Sequence, residues 1–280
     1  MMDIFSPLSA AHRPPRADRK SGVMEPVAVV AFENYRKSVA AALDRIGAAE
    51  RLPRRGLIII KPNLTNADPP PVTTPVAMVT AIWEYCRGHS DAEIAIGEGS
   101  GNGTTSQAFE ANGYTAFAEK EGVRLIDFNS EEVVRVSCPE AFHLKEFYLP
   151  AIARDAFIIS APVLKDHSFT VTTVAMKNMF GLAPAPFYRG TWNKSKLHSP
   201  STHSSVVDVC LHKRPDLCVV DAVVALSGMH LHGTPRRVGV LLAGFDPVAV
   251  DAAASRLLGH DPWKIEYLTL AHGRLGMIGA

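Results

Sequence analysis

A series of short, uniformly apolar runs constrains this chain more than any other feature. They are 27-VAVVAF-32, 57-LIIIK-61, 93-EIAIG-97, 123-VRLIDF-128, 156-AFIISAP-162, 217-LCVVDA-222 and 238-VGVLLAG-244. A strand with one wet face alternates apolar and polar residues, whereas a strand covered on both faces does not. Helical stretches separate the runs. Residues 34–48 carry apolar side chains at helical spacing. Pro75 opens 75–88 with Thr74 as its expected N-cap, Pro247 opens 247–259 and Pro262 opens 262–276. Shorter helices read over 105–112, 114–121 and 204–212. This alternation predicts an α/β fold: a doubly wound, mostly parallel sheet with helices on both faces. The Pro-, Ser- and Lys-rich stretch 183–204 interrupts it and is expected as a long polar loop at the active edge.

A chain of 280 residues, 47% hydrophobic, can bury a large core. The expected organisation is one domain over 25–280, or two lobes over about 25–150 and 151–280. A net charge of +1 gives no bulk electrostatic case for nucleic acid or a membrane surface. No apolar run reaches membrane-spanning length. Residues 1–24 contain prolines and basic residues without an apolar centre, so they read as a flexible tail and not as a signal peptide. Met24 is an alternative start. The four cysteines, Cys86, Cys138, Cys210 and Cys218, form no CxxC pair and read as reduced thiols of a cytoplasmic protein.

Polar groups follow the apolar runs. Lys61 and Asn63 follow Ile60; Glu98 and Ser100 follow Ile96; Lys165 and His167 follow Val163; Asp221 follows Val220; Asp246 follows Gly244. Carboxyl ends of parallel strands form one edge, and ligands bind in the crevice there. Each residue also has a plainer reading. Asp246 before Pro247 suits a helix N-cap, Lys61 before Pro62 suits a snorkelling strand end, and Glu98 suits a glycine-rich turn. The stretch 97-GEGSGNGTTSQAF-109 permits anion binding through backbone N–H groups, but lacks both GxGxxG register and a P-loop GK[ST].

The stretch 164-LKDHSFTVTTVAMKNMFGL-182 sets Lys165, His167 and Lys177 around a Thr-rich segment. Burial lowers a lysine's pKa, and a second lysine lowers it further, which suits proton abstraction or fixing an enolate or phosphate. Lys165, His167 and Lys177 are the expected catalytic residues, although the plainer reading, that both lysines are ordinary anion anchors, stands slightly ahead. Asn63, Thr74, Thr170, Asn178 and His198 join Lys61, Glu98 and Ser100 as expected substrate contacts. His230 and His232 form an HxH pair that could hold a divalent metal with Asp221 or Asp246.

These motifs together resemble the domain-of-unknown-function 362 (DUF362) proteins. The matching segments are 58-IIIKPNL-64, Thr73-Thr74-Pro75, 94-IAIGEGSG-101, 164–182, 218-CVVDAVVALSG-228 with Gly233-Thr234-Pro235, and 244-GFDPVAVDAAASRLLG-259. The resemblance covers about residues 26–276 and implies a fold more than an activity. Many such proteins carry a C-terminal ferredoxin-like segment with cysteine motifs. This sequence has no iron–sulfur motif before Ala280. The layout is also distantly similar to lactate-racemase-like nickel enzymes, an analogy of fold only. Three functions remain open at this level. One is an enzyme of isomerase or lyase type acting on a small carboxylate or phosphate. Another is a redox protein using a separate ferredoxin-type partner or a bound metal. The last is a non-catalytic anion-binding module.

Overall fold

Ile58 and Ile60 point into one apolar layer while Ile59, between them, points into another. The same division recurs in neighbouring strands: Leu217 and Val219 face the first layer, Cys218 and Val220 the opposite side. These central strands are therefore sandwiched, which is why their sequences do not alternate, whereas the edge strand at Ala28–Ala31 is covered on one face only and leaves Val29 43% exposed. The computed structural model describes residues 25–279. The stretch read as a flexible tail, and the alternative start at Met24, lie outside the described residues.

The strands are β1 (Ala28–Ala31), β2 (Leu57–Pro62), β3 (Glu93–Glu98), β4 (Arg124–Asp127), β5 (Val133–Ser137), β6 (Glu146–Pro150), β7 (Phe157–Ala161), β8 (Val163–His167), β9 (Val171–Thr173), β10 (Leu217–Ser227) and β11 (Thr234–Gly244). Among the described residues a nine-stranded sheet runs β1-β11-β10-β7-β2-β3-β4, with β8 joining β10 and β9 joining β8. The order reverses around β2: β3 and β4 lie on one side, β7 and β10 on the other. Pairings of β2 with β3 and β7, of β3 with β4, and of β10 with β7 and β8 are parallel. Strand β11 is antiparallel to both β1 and β10, and β9 is antiparallel to β8. Strands from both halves of the chain interleave in this single sheet.

Helices α1 (Tyr35–Arg45), α2 (Val76–His89), α3 (Thr105–Ala111) and α4 (Tyr114–Glu121) supply Leu43, Ile82, Phe109 and Tyr114 to one layer. On the other face, α5 (Ala151–Arg154), α6 (Ala175–Asn178) and α8 (Thr202–His212) contribute Ala153, Met176 and Val206, and α9 (Pro247–Leu257) and α10 (Glu266–Ala271) contribute Val248 and Leu268. The short α7 (Ala185–Tyr188) lies in the stretch expected as loop.

Two expectations change. Helix α2 starts at Val76 without a side-chain cap, because the Thr74 hydroxyl donates instead to the Ala161 carbonyl at 2.7 Å. The stretch 262–276 is not one helix: a 3-10 turn precedes α10, which ends at Ala271. Residues 163–178, to which the sequence reading gives no element, form β8, β9 and α6. The β-branched run there, β9, forms a strand because it pairs with β8, which is itself paired with β10.

Candidate functional site

Lys61 and Glu98 end β2 and β3, and Lys165 and His167 sit two apart at the end of β8. Successive strand residues point to opposite sides, so residues two apart share a side. These four, with Asn63, Lys177, Asn178 and His198, line one cavity of ≈ 430 Å³. His230 lines it as well, from beyond β10.

The floor is a continuous polar network. Lys61 is fully buried and donates to the Glu98 carboxylate at 2.8–2.9 Å, to the Pro62 carbonyl at 2.9 Å and to Asn178 Oδ1 at 3.1 Å. That occupies the donors of a charged ammonium. Glu98 is held further by the backbone N–H groups of Leu64 and Gly99. Asn63 Nδ2 donates to Asn178 Oδ1 at 3.2 Å, and Asn63 Oδ1 accepts from Lys165 Nζ at 2.6 Å. Lys165 also donates to the Val72 carbonyl at 2.8 Å. Lys177 stands apart: its ammonium lies 3.8 Å from the centre of the Phe180 ring.

Backbone shape permits this density. An added Cβ at Gly181 would overlap Glu98 Oε1 and Lys61 Cε, and would lie 2.6 Å from Lys61 Nζ. A Gly181→Ala protein is therefore expected to separate the ion pair or displace the turn after α6, lowering the melting temperature by several degrees. Calorimetry against Gly279→Ala, where an added Cβ meets nothing within 4 Å, checks this.

Charge is heavily one-sided. The cavity wall carries four lysines, Lys61, Lys165, Lys177 and Lys194, against one carboxylate, Glu98. Burial, opposed by Glu98 and aided by Lys61, brings Lys165 down to about 7. Burial, then repulsion from Lys165, Lys194 and Lys61, brings Lys177 down to about 7. Lys194 also falls to about 7, mainly by burial. Lys61 is lowered by burial, with Glu98 pulling the other way. His198 and His230 fall to about 4 by burial and nearby lysines, and His167 is held neutral for the same reasons. His167 Nδ1 accepts from the Phe169 N–H at 3.0 Å, which assigns the ring proton to Nε2.

Lys194 was not anticipated. It lies in the 183–204 stretch, only 5% exposed, and its ammonium donates to the carbonyls of Gly99, Phe180 and Gly181. No local pattern marks it, because its partners lie 13 to 95 residues away.

Other expected contacts have structural positions. Thr74 Oγ1 accepts from the Asn63 N–H, Ser100 Oγ donates to the Leu64 carbonyl, and Thr170 Oγ1 donates to the Thr172 carbonyl. They shape the walls but do not line the cavity. The weak metal set does not converge. His232 is exposed, Asp246 caps α9 through the N–H groups of Val248 and Ala249, and Asp221 bonds Tyr35 beside a separate cavity. Among the described residues no three His, Cys, Asp or Glu side chains meet as a metal site. His167 and His230 stack at 4.1 Å, which sets their rings side by side, and the surrounding ammoniums repel a cation. The side chains around the cleft therefore do not suit a divalent metal.

Three cavity-lining residues carry a buried polar atom without a hydrogen-bond partner among the described residues: Thr173 Oγ1, Asn193 Oδ1 and His230 Nδ1. Buried groups of this kind are normally satisfied.

The family described as "Domain of unknown function (DUF362)" matches residues 58–256. The chain belongs to the DUF362 family. The match takes in every cavity residue named above. Among curated proteins, this DUF362 member is 26% identical over 246 residues to the Thylakoid-associated protein sll1697 of Synechocystis sp., covering 86% of this chain and 74% of that one. No helix among the described residues is long and apolar enough to cross a membrane.

Proposed function

We propose that the cleft binds a small carboxylate- or phosphate-bearing molecule and moves a proton on it, in a reaction of isomerase or lyase type. The observation that carries this reading is the convergence of four lysines, three of them buried and Lys177 half-buried, around a single carboxylate in one cavity. Such an excess of positive charge costs stability unless an anion offsets it. Lys165, with two of its three donors used, holds the anion's oxygens, and Lys194, bound to three carbonyls, adds its charge. Lys177, with no carboxylate beside it and a pKa near neutrality, exchanges the proton. In that step the carbon–hydrogen bond next to the carboxylate breaks, a nitrogen–hydrogen bond forms on Lys177, and the electron pair enters an enolate. The neighbouring ammoniums and the His167 Nε2–H stabilise that charge. Return of the proton to either face, or departure of a group from the next carbon, completes the reaction.

The cytoplasmic placement rests on the free thiols of Cys86, Cys138, Cys210 and Cys218. The ferredoxin-type partner stays an alternative without a structural feature that favours it.

The reading has a direct pH test. Lys165, Lys177 and Lys194 are protonated below about 7 and lose charge above it. Sulfate and acetate keep constant charge between pH 6.5 and 8.5, so any change in their binding reports the protein. Titration calorimetry is expected to show affinity falling at least about tenfold over that range. At pH 8.5 binding should take up protons, visible as a buffer-dependent heat. A flat profile with no proton uptake would refute the charged-lysine account.

A further inference from the structure

The mouth of the cleft differs in character from its floor. Phe169, in the turn between β8 and β9, is 52% exposed, and Trp192, in the 183–204 stretch, is 54% exposed. Both line the cationic cavity. They are gathered around one ring: His198 lies 5.3 Å from Phe169, 5.8 Å from Phe180 and 6.1 Å from Trp192. His198 is itself anchored through Nδ1 to the Thr202 hydroxyl at 3.1 Å.

Exposed large rings lose the benefit of burial, and grouping them at a cavity mouth makes sense when something covers them. A volume of ≈ 430 Å³ lies in the range of sites for ligands well above the size of a compact acid. Electrostatics narrows the class. Ring faces attract cations, but the lysines beneath repel them, so the body that lies against these rings is neutral. A flat body gains most from offset or edge contacts with Phe169, His198 and Trp192.

We infer that the ligand of this cleft is bipartite: a neutral aromatic or heteroaromatic ring at the mouth, carrying a carboxylate or phosphate that reaches the lysines of the floor. This rests on the anion-binding reading above and adds the chemistry of the other end. The geometry joins the two, because Phe180 touches both. Its ring receives the Lys177 ammonium on a face and packs edge-on to His198. A ring seated against His198 thus brings its acidic substituent toward Lys177.

The test compares matched pairs at pH 6.5 by titration calorimetry: acetate with benzoate, and inorganic phosphate with phenyl phosphate. The aromatic member of each pair is expected to bind about tenfold tighter or better. Trp192→Ala and Phe169→Ala alter exposed side chains, and circular dichroism verifies their folding. In each, the aromatic preference should shrink to under about threefold. Quenching of Trp192 emission by phenyl phosphate, lost in Trp192→Phe, would place the ring at the mouth. Equal affinity within both pairs would overturn the bipartite ligand and leave the anion reading standing. Failure of all four probes to bind would overturn both.

Discussion

Replacing Glu98 by glutamine is expected to lower the melting temperature by about 10 °C, more than any other isosteric change in the cleft. Glu98 is 2% exposed, and it is the lone carboxylate among the four lysines of the cavity wall. Each of its oxygens accepts a backbone N–H, from Gly99 on one side and Leu64 on the other, while Lys61 bridges both. A glutamine must turn its amide nitrogen toward one of those donors. The substitution therefore removes a charge and creates a clash of donors with almost no change in volume. Breaking a buried pair from one side costs about 3–5 kcal/mol. The same variant should regain stability in sulfate more steeply than the wild-type protein, because the added anion replaces the lost charge. Differential scanning calorimetry in a sulfate series reads both effects. A shift under 2 °C, or equal sulfate slopes, would show that the lysines are not electrostatically dependent on Glu98.

Lys177→Ala carries the second large effect, on chemistry instead of stability. Lys177 has no acidic partner, and its ammonium rests on the Phe180 ring. Removing it relieves repulsion with Lys165 and Lys194, so the melting temperature should hold or rise slightly. Exchange of the hydrogen next to a bound carboxylate for solvent deuterium, followed by NMR with phenylacetate and related acids, should fall by about a hundredfold or more. Lys177→Arg separates two roles. Arginine keeps the positive charge but cannot give up its proton near neutral pH. If Lys177 only anchors an anion, arginine restores function. If it exchanges a proton, arginine restores binding and leaves exchange at the alanine level. Full exchange activity in Lys177→Ala would end the assignment.

The same lysines set a stability profile. A lysine lowered from its ordinary value to about 7 binds fewer protons folded than unfolded across the interval between. Stability of the ligand-free protein therefore rises with pH from 7 to about 9, the reverse of the trend in anion affinity, and above that the buried thiols of Cys86, Cys210 and Cys218, held protonated by burial, oppose it. The lowered histidines lose their protons below that window, and Asp251, raised to about 7 by burial, is largely ionised above it.

Much of this architecture is legible residue by residue. The run 57-LIIIK-61 reads as a doubly covered strand because burial on both faces leaves no place for polar alternation. The convergence of Lys61, Glu98 and Lys165 follows from the tendency of parallel strands to put their carboxyl ends on one edge, whereas Lys177 reaches the cavity from α6. Thr74, Ser100 and Thr170 share those segments yet serve the backbone, and sequence cannot tell a hydroxyl that lines a cavity from one that closes a turn. Strand β9 and the antiparallel course of β11 depend on which neighbour is available, which is a property of the sheet and not of the segment.

The sequence by itself determined the α/β class, the sandwiched strands and the edge where charged groups collect, because these follow from local period and from the need to bury apolar runs. Only the tertiary structure decided that Lys194 closes over Gly99, that Phe169 and Trp192 rim the cleft around His198, and that three lysine side chains sit near neutrality. The reason is physical. A side chain's solvation and its field depend on atoms brought close in space from distant positions, and no window of sequence contains them.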